Sequence, residues 1–348
     1  MGSVSLRSVT KIFGTAVRAL DDVSLDIVSG ELVALLGSSG CGKTTLLRSV
    51  AGLETPTDGQ ILIDGRDITP MPTRRRPIGM VFQSYALFPN MTVRQNVAFP
   101  LLARRRGAKR VDERVDELLD LVQLTAQVDR YPNQLSGGQQ QRASLARALS
   151  ASPEVLLLDE PLSALDALVR QQLREEIRRI QQRLKITTLF VTHDQAEAMA
   201  IADRVAVMSH GKIEQIASPL ELYEAPTTRF SASFVGNRNV LELPIHEGRV
   251  RLGGALDVAA PASGSRQAVV FFRPEDVEFS TNGIGHPATV ESKIFQGAVT
   301  RLHLMVEDNP QGGRFYADLP SRQAAALDQG STVRVYVKPE HVRVFPND

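Results

Sequence analysis

Leu32-Val-Ala-Leu-Leu36 runs directly into Gly37-Ser-Ser-Gly-Cys-Gly42-Lys43-Thr44, and the periodic segment Thr45–Ala51 follows. The five apolar residues lack polar alternation, which predicts a strand buried on both faces. The glycine-rich stretch fits the phosphate-loop pattern, and a strand before it with a helix after it is the context that pattern requires. Glycines let the loop wrap closely, so that successive backbone N–H groups and the positive end of the following helix point at β- and γ-phosphates. This assigns Gly37, Ser38, Ser39, Gly40, Cys41, Gly42, Lys43, Thr44 and Thr45 to nucleotide binding. Lys43 neutralises phosphate oxygens, and the Thr44 hydroxyl is placed to ligate Mg²⁺.

Working outward, a phosphate-bound metal also needs a carboxylate, and Val155-Leu-Leu-Leu-Asp159-Glu160 supplies one at the tip of another buried strand. Asp159 is read as a Mg²⁺ holder, and Glu160, free of that duty, as the general base that orients and deprotonates the attacking water. Gln83 follows the strand Met80–Phe82, where its amide can touch both Mg²⁺ and the water. His193 ends the strand Thr188–Thr192, from which an imidazole can contact the γ-phosphate. Leu135-Ser136-Gly137-Gly138-Gln139 precedes the helical segment Gln140–Ala148 and makes a second anion-binding helix start. One chain thus holds two phosphate-facing helix starts but one phosphate loop. A head-to-tail homodimer resolves this, with Ser136–Gln139 of one subunit closing over ATP held by Lys43 of the other.

From Ser5 to about Gly236, short apolar runs alternate with helix-length segments, the rhythm of an α/β fold with parallel strands. Expected inner strands are Leu32–Leu36, Gly79–Phe82, Val155–Leu158, Thr188–Thr192 and Arg204–Ser209. A helical insertion lies between the second and third; Val111, Val115, Leu118, Leu119 and Val122 mark one helix face there. After about Asn237 short strands between Gly, Pro and Asn turns predict a smaller β domain. It contains an echo: Val270–Phe279 and Tyr336–Val344 each read as strand, basic residue, Pro-Glu and strand, which predicts two similar corners of one small barrel.

The 348 residues suggest two domains, since single cores stop growing near about 250 residues. With 43% hydrophobic and 23% charged residues, wholesale disorder is excluded. A formal net charge of +1 lacks the cationic excess of a phosphate-backbone binder, so nucleic acid is not expected as a main partner. The single cysteine, Cys41, and the lack of an apolar signal core in Met1–Thr10 point to a reducing, cytoplasmic compartment. No apolar run approaches the roughly 20 residues that cross a bilayer, so a membrane is reached through another protein.

With these motifs in place, the sequence resembles the ATP-binding subunits of ABC transporters along its whole length. Gly37–Thr44 is similar to Walker A, Gln83 to the Q-loop residue, Leu135–Gln139 to the ABC signature, Val155–Glu160 to Walker B, Ser163–Asp166 to the D-loop and His193 to the switch histidine. The resemblance places Phe13 where the family stacks an aromatic on adenine, and Asp166 among the residues at the nucleotide. The implied fold is a P-loop ABC ATPase domain, residues 1–236, with a helical subdomain at about 85–154, followed by an all-β OB-like domain, 237–348. The stretch Met80–Asn90 together with that tail resembles the importer group serving sugars, polyamines, ferric iron, sulfate and phosphonates. The resemblance then implies a peripheral ATPase on the cytoplasmic face of the inner membrane. It would drive two integral-membrane permease subunits, with a solute-binding protein delivering cargo and Ser84–Pro89 forming part of the groove for the permease's coupling helix.

Two other classes compete. A soluble nucleotide-gated protein would usually carry two ATPase units or a long coiled-coil insertion, and a phosphate-loop kinase would need neither Leu135–Gln139 nor the β domain. The basic runs Arg74–Arg76 and Arg104–Arg106 read as solvated surface or local ion pairing. The helix Leu168–Leu184 reads as one-sided packing through Leu173, Ile177, Ile180 and Leu184, without special chemistry. No residue encodes the cargo.

Overall fold

The computed structural model describes residues 2–14, 16–103, 108–262, 264–280, 285–306 and 313–347. The chain divides into two units, Met1–Leu222 and Tyr223–Asp348. This division precedes the change of texture near Asn237. Arg273 donates through Nη2 to the Tyr223 carbonyl at 2.6 Å and through Nη1 to the carbonyls of Val235 and Asn237 at 2.7 and 3.0 Å, stitching residues 223–237 into the second unit.

In chain order the first unit carries β1 (Val4–Phe13), β2 (Val17–Ile27), β3 (Leu32–Gly37), α1 (Lys43–Ala51), β4 (Asp58–Ile63), β5 (Arg66–Asp67), β6 (Ile78–Val81), α2 (Val93–Ala103), α3 (Ala108–Leu121), α4 (Gly137–Ser150), β7 (Val155–Asp159), α5 (Ala167–Leu184), β8 (Thr187–Thr192), α6 (Gln195–Ile201), β9 (Arg204–Ser209) and β10 (Lys212–Ala217). The six-stranded sheet runs in the order β10-β9-β3-β8-β7-β6. The five expected apolar runs pair in parallel, β3, β7 and β8 being buried throughout, but only four of them are inner strands: β6, expected inside the sheet, lies at its edge and alternates between buried and half-buried residues. Only β10 is antiparallel. Because the other five point one way, the loops that follow them open at a single edge, the usual ligand edge of such sheets.

A four-stranded antiparallel sheet, β2-β1-β4-β5, is the part of this unit that the parallel rhythm did not anticipate. Its inward residues Val4, Leu6, Val9, Val23, Leu25 and Ile61 join β3 and α1 residues in one core. The helical insertion forms α2, α3 and α4; the apolar face of α3 is buried at Val111, Val115, Leu118 and Leu119, and Val122, one residue past its end, is buried as well. Arg104–Arg106 lie outside the described residues.

The other basic run departs from its reading. Arg74 and Arg75 are exposed, but Arg76 is 3% exposed. Its guanidinium donates to the carbonyls of Ser49 (2.8 Å) and Val50 (2.7 Å) near the C-terminus of α1, and of Met71 (2.9 Å) and Thr69 (3.0 Å). The carbonyls at a helix C-terminus carry its negative pole and lack i+4 partners, so a cation there is favourable, even at Ser49, whose carbonyl also accepts from the Gly52 N–H at 3.1 Å.

The second unit holds β11 (Asn239–His246), β12 (Arg249–Leu252), β13 (Leu256–Ala259), β14 (Gln267–Phe272), β15 (Val277–Phe279), β16 (His286–Phe295), β17 (Val299–Val306), β18 (Gly313–Pro320), β19 (Thr332–Val337) and β20 (Arg343–Pro346). They form two five-stranded sheets, β13-β12-β11-β14-β20 and β15-β19-β16-β17-β18, which share one core. The echoed segments are two strand, 3₁₀ turn, strand corners that pair with each other: β14 with β20 and β15 with β19. Asp276 and His341, at matching positions in the two turns, lie 3.5 Å apart.

Candidate nucleotide site

The glycine loop leaves the end of β3, the middle strand of its neighbours β9 and β8. Gly42 has φ 108° and caps the start of α1, and a Cβ there would stand 2.4 Å from the Ala19 carbonyl, so only glycine fits without a shift. Lys43 is 5% exposed; its Nζ donates to the carbonyls of Gly37 and Ser38 at 2.8 and 2.9 Å and lies 3.7 Å from Cys41 Sγ. The Cys41 side chain is buried.

Thr44 Oγ1 donates to Asp159 Oδ1 at 3.3 Å. Burial raises the Asp159 carboxyl pKa, and the Thr44 bond and then the Arg48 charge pull against it. Arg48, Gln83, Ser84, Asp159 and Ser163 line one cleft of about 560 Å³.

Glu160 stands one residue beyond β7 with φ 43°, held there by its N–H donating to the Val191 carbonyl at 3.0 Å. Its Oε2 accepts from Gln83 Nε2 at 3.1 Å and lies 3.2 Å from His193 Nδ1. Gln83 Nε2 also reaches Ser163 Oγ at 3.4 Å, and that hydroxyl donates to the Glu160 carbonyl at 3.0 Å. Residues from the ends of β6, β7 and β8 therefore converge on one carboxylate.

The segment after Gln83 turns sharply, with Tyr85 and Ala86 at φ 60° and 48°. Two side chains of α4 fix it: Ser144 Oγ donates to the Tyr85 carbonyl at 2.8 Å, and Arg147 donates to the carbonyls of Tyr85 and Ala86 at 3.0 and 2.7 Å.

At the start of α4, Ser136 and Gln139 bond reciprocally. Gln139 N–H donates to Ser136 Oγ at 3.3 Å, and Ser136 N–H donates to Gln139 Oε1 at 3.0 Å, a capping box. Ser136 and Gly137 are exposed. Cβ atoms on Gly137 and Gly138 would stand 3.0 and 3.1 Å from Leu165 and Val169, so these glycines pack the helix start against the Ser163–Asp166 loop and α5. Asp166 is exposed and caps α5 by accepting from Val169 N–H at 3.0 Å. Phe13 is 40% exposed, with Lys11 Nζ 4.9 Å from its ring centroid.

The structure thus brings Lys43, Thr44, Gln83, Asp159, Glu160 and His193 to one edge of the sheet, with Ser136–Gln139 apart on an exposed helix start. Sequence reasoning gave no site role to Ser144, Arg147, Arg170 or Glu197, and placed Ser163 in the D-loop without its contacts to Gln83 and Glu160. One signal was legible: Asp194-Gln-Ala-Glu197 has the spacing of a helix cap, and Asp194 Oδ1 does accept from Glu197 N–H at 3.2 Å.

Two family profiles match the chain. The ABC transporter family profile matches residues 20–163, and the TOBE domain profile matches residues 270–345. A sulfate/thiosulfate import ATP-binding protein of Synechococcus elongatus is 46% identical over 345 residues, covering 99% of this chain and 96% of that protein. A namesake from Chromobacterium violaceum is 48% identical over 353 residues, covering 99% and 96%. Among solved structures, a dimeric ATP-binding cassette in a post-hydrolysis state bound to ADP and Pi matches with TM-score 0.56 at 33% identity, over 62% of this chain and 98% of the cassette. The chain belongs to the ABC transporter family, in the importer-type group of ATP-hydrolysing subunits with a C-terminal TOBE domain.

Proposed function

We propose that this chain powers uptake of sulfate or thiosulfate, working as a head-to-tail homodimer bound at the cytoplasmic face of the inner membrane to two integral-membrane permease subunits supplied by a solute-binding protein. The anion class is the one named for relatives identical at 46% and 48% over nearly the whole chain. The dimer is supported by the dimeric cassette and by the exposed start of α4. A peripheral position agrees with the finding that no described helix is long and apolar enough to cross a membrane.

The observation that carries the catalytic reading is the convergence of Gln83 and His193 on Glu160, 3.1 and 3.2 Å from one oxygen. In this reading the Gly37–Thr45 backbone and Lys43 hold the phosphates, Phe13 faces the adenine, and Ser136–Gln139 with Asp166 of the second copy close the site. Glu160 takes the proton of the attacking water, Gln83 orients that water, and His193 contacts the γ-phosphate while keeping the Glu160 carboxylate aimed.

Mg²⁺ suits the donors, because the Thr44 hydroxyl and the Asp159 carboxylate are hard oxygen ligands 3.3 Å apart, with the Gln83 amide on the same cleft. Bound with nucleotide, it supplies neutralisation of the phosphate charge.

Glu160→Gln keeps the shape but not the basicity, so ATP binding persists while turnover falls by at least about a hundredfold, the lower end of general-base effects; near-normal hydrolysis would remove Glu160 from the role. Uptake of radiolabelled sulfate by cells lacking and regaining the gene tests the cargo. Restored uptake, blocked by excess thiosulfate, supports the reading; unchanged sulfate uptake in the deletion rejects it.

A further inference from the structure

His193 is flanked by Thr192 and Asp194, and both neighbours are tied to one guanidinium on another element. Arg170, in the first turn of α5, places Nη1 3.3 Å from Asp194 Oδ2 and Nε 3.5 Å from Glu197 Oε1. The second oxygen of Glu197 accepts from Thr192 Oγ1 at 2.6 Å. The remaining arm of Arg170, Nη2, donates to the Leu165 carbonyl at 3.0 Å, inside the Ser163–Asp166 loop. The other end of that loop is attached through Ser163 Oγ to the Glu160 carbonyl, and Glu160 returns to His193. The contacts close a ring: His193, Glu160, Ser163, Leu165, Arg170, then Asp194 and Glu197 back to His193.

We propose that Arg170 is a positioning residue that makes His193 and the Ser163–Asp166 loop move as one body, so that phosphate contact at His193 sets the loop facing the second copy. This rests on the catalytic reading above. Helix stability does not account for the arrangement, because α5 is already capped by Asp166 and α6 by Asp194. The guanidinium instead donates to two loops, at Asp194 Oδ2 and the Leu165 carbonyl, and its Nε stands at ion-pair distance from Glu197 in α6. Glu197 is 3% exposed, and burial raises its carboxyl pKa, so a nearby cation favours its charged form. A lysine would offer one compact ammonium in place of a planar fork and could not reach both loops and Glu197 together.

Hydrogen exchange on the full chain, with and without Mg²⁺ and a non-hydrolysable ATP analogue, reads the coupling. In the wild type, nucleotide is expected to slow amide exchange in both 190–198 and 163–170. In Arg170→Met, 190–198 keeps its response while 163–170 loses at least about fivefold in protection, the lower end of inter-site coupling. Arg170→Lys behaves like the methionine variant and decides the matter if the methionine variant does not fold. Two results overturn the proposal: both segments protected in the variant as in the wild type, or a wild-type loop indifferent to nucleotide. Calorimetry of analogue binding separates the two readings. A chain that binds no nucleotide fails the catalytic reading, whereas one that binds it and still moves both segments together without Arg170 fails only this one.

Discussion

Replacing Arg76 by alanine removes a guanidinium that no surface arginine resembles. Four carbonyls, of Ser49, Val50, Thr69 and Met71, accept from it within 2.7 to 3.0 Å at a site 3% exposed. Hydrogen bonds to a charged donor are worth about 1.5–3 kcal/mol each, and a buried acceptor left alone costs about 1–3 kcal/mol. The full sum is not reached, because burial already weakens the cation, lowering its pKa, and because the vacated space has polar walls that admit water. Loss of about 3 kcal/mol is expected, which for a unit of this size lowers Tm by about 6–12 °C. Arg76→Lys restores the charge but not the fork, and falls between. Calorimetric scans of the full chain would show the change in the transition of the first unit, with the second unit unmoved, and hydrogen exchange would show faster opening of the last turn of α1. An Arg76→Ala protein within about 0.5 kcal/mol of wild type, the range of an ordinary surface change, refutes the reasoning.

Asp159→Asn is expected to raise the Tm of the nucleotide-free protein at neutral pH. Burial raises the Asp159 pKa above its ordinary 3.8, so ionisation is harder in the folded chain than in the unfolded one and subtracts from stability. That penalty fades as pH falls through the raised folded pKa, so the two proteins converge below about 3.8; a Tm gap that widens in acid contradicts the sign. Gly42→Ala puts a Cβ 2.4 Å from the Ala19 carbonyl at φ 108°, a strain of about 1–3 kcal/mol that the loop relieves by moving. Calorimetry should find nucleotide affinity at least about fivefold weaker, and an unchanged affinity would mean that the loop geometry does not matter to binding.

Much of the site could be read from the chain because its parts are marked locally. A buried strand shows as an unbroken apolar run, a phosphate loop as glycines between a strand and a helix, and helix starts at Ser136, Asp166 and Asp194 as capping side chains. What escaped depends on pairing across the fold. Nothing in Arg74-Arg-Arg76 says that the third turns inward while its neighbours stay in water. The helix read as one-sided packing also carries Glu176, 8% exposed, whose Oε2 lies 2.8 Å from Arg142 Nη2 of α4. Its place three residues after buried Leu173 put it on the apolar face, a legible sign that it needed a partner. Arg170 gave no such sign, because its acceptors come from segments 5 and 24 or more residues away.

The proposed function gives the adjacent carboxylates Asp159 and Glu160 two different roles, and the backbone between them sends their side chains to different neighbours. Consecutive residues of an extended strand point to opposite faces, so a regular continuation of β7 would turn Glu160 away from the side that holds Asp159. The chain leaves the strand at that point instead: Glu160 adopts φ 43°, a left-handed conformation that costs an ordinary residue about 1 kcal/mol or more. Its N–H bonded to Val191 and its carbonyl bonded to Ser163 hold the turn from both sides. Asp159 thereby stays in the sheet, in contact with Thr44 at the start of α1, while Glu160 swings toward the ends of β6 and β8, where Gln83 and His193 meet it. The division of labour proposed for them therefore rests on the chain leaving the strand at Glu160, because the same two side chains on a straight strand would serve opposite faces.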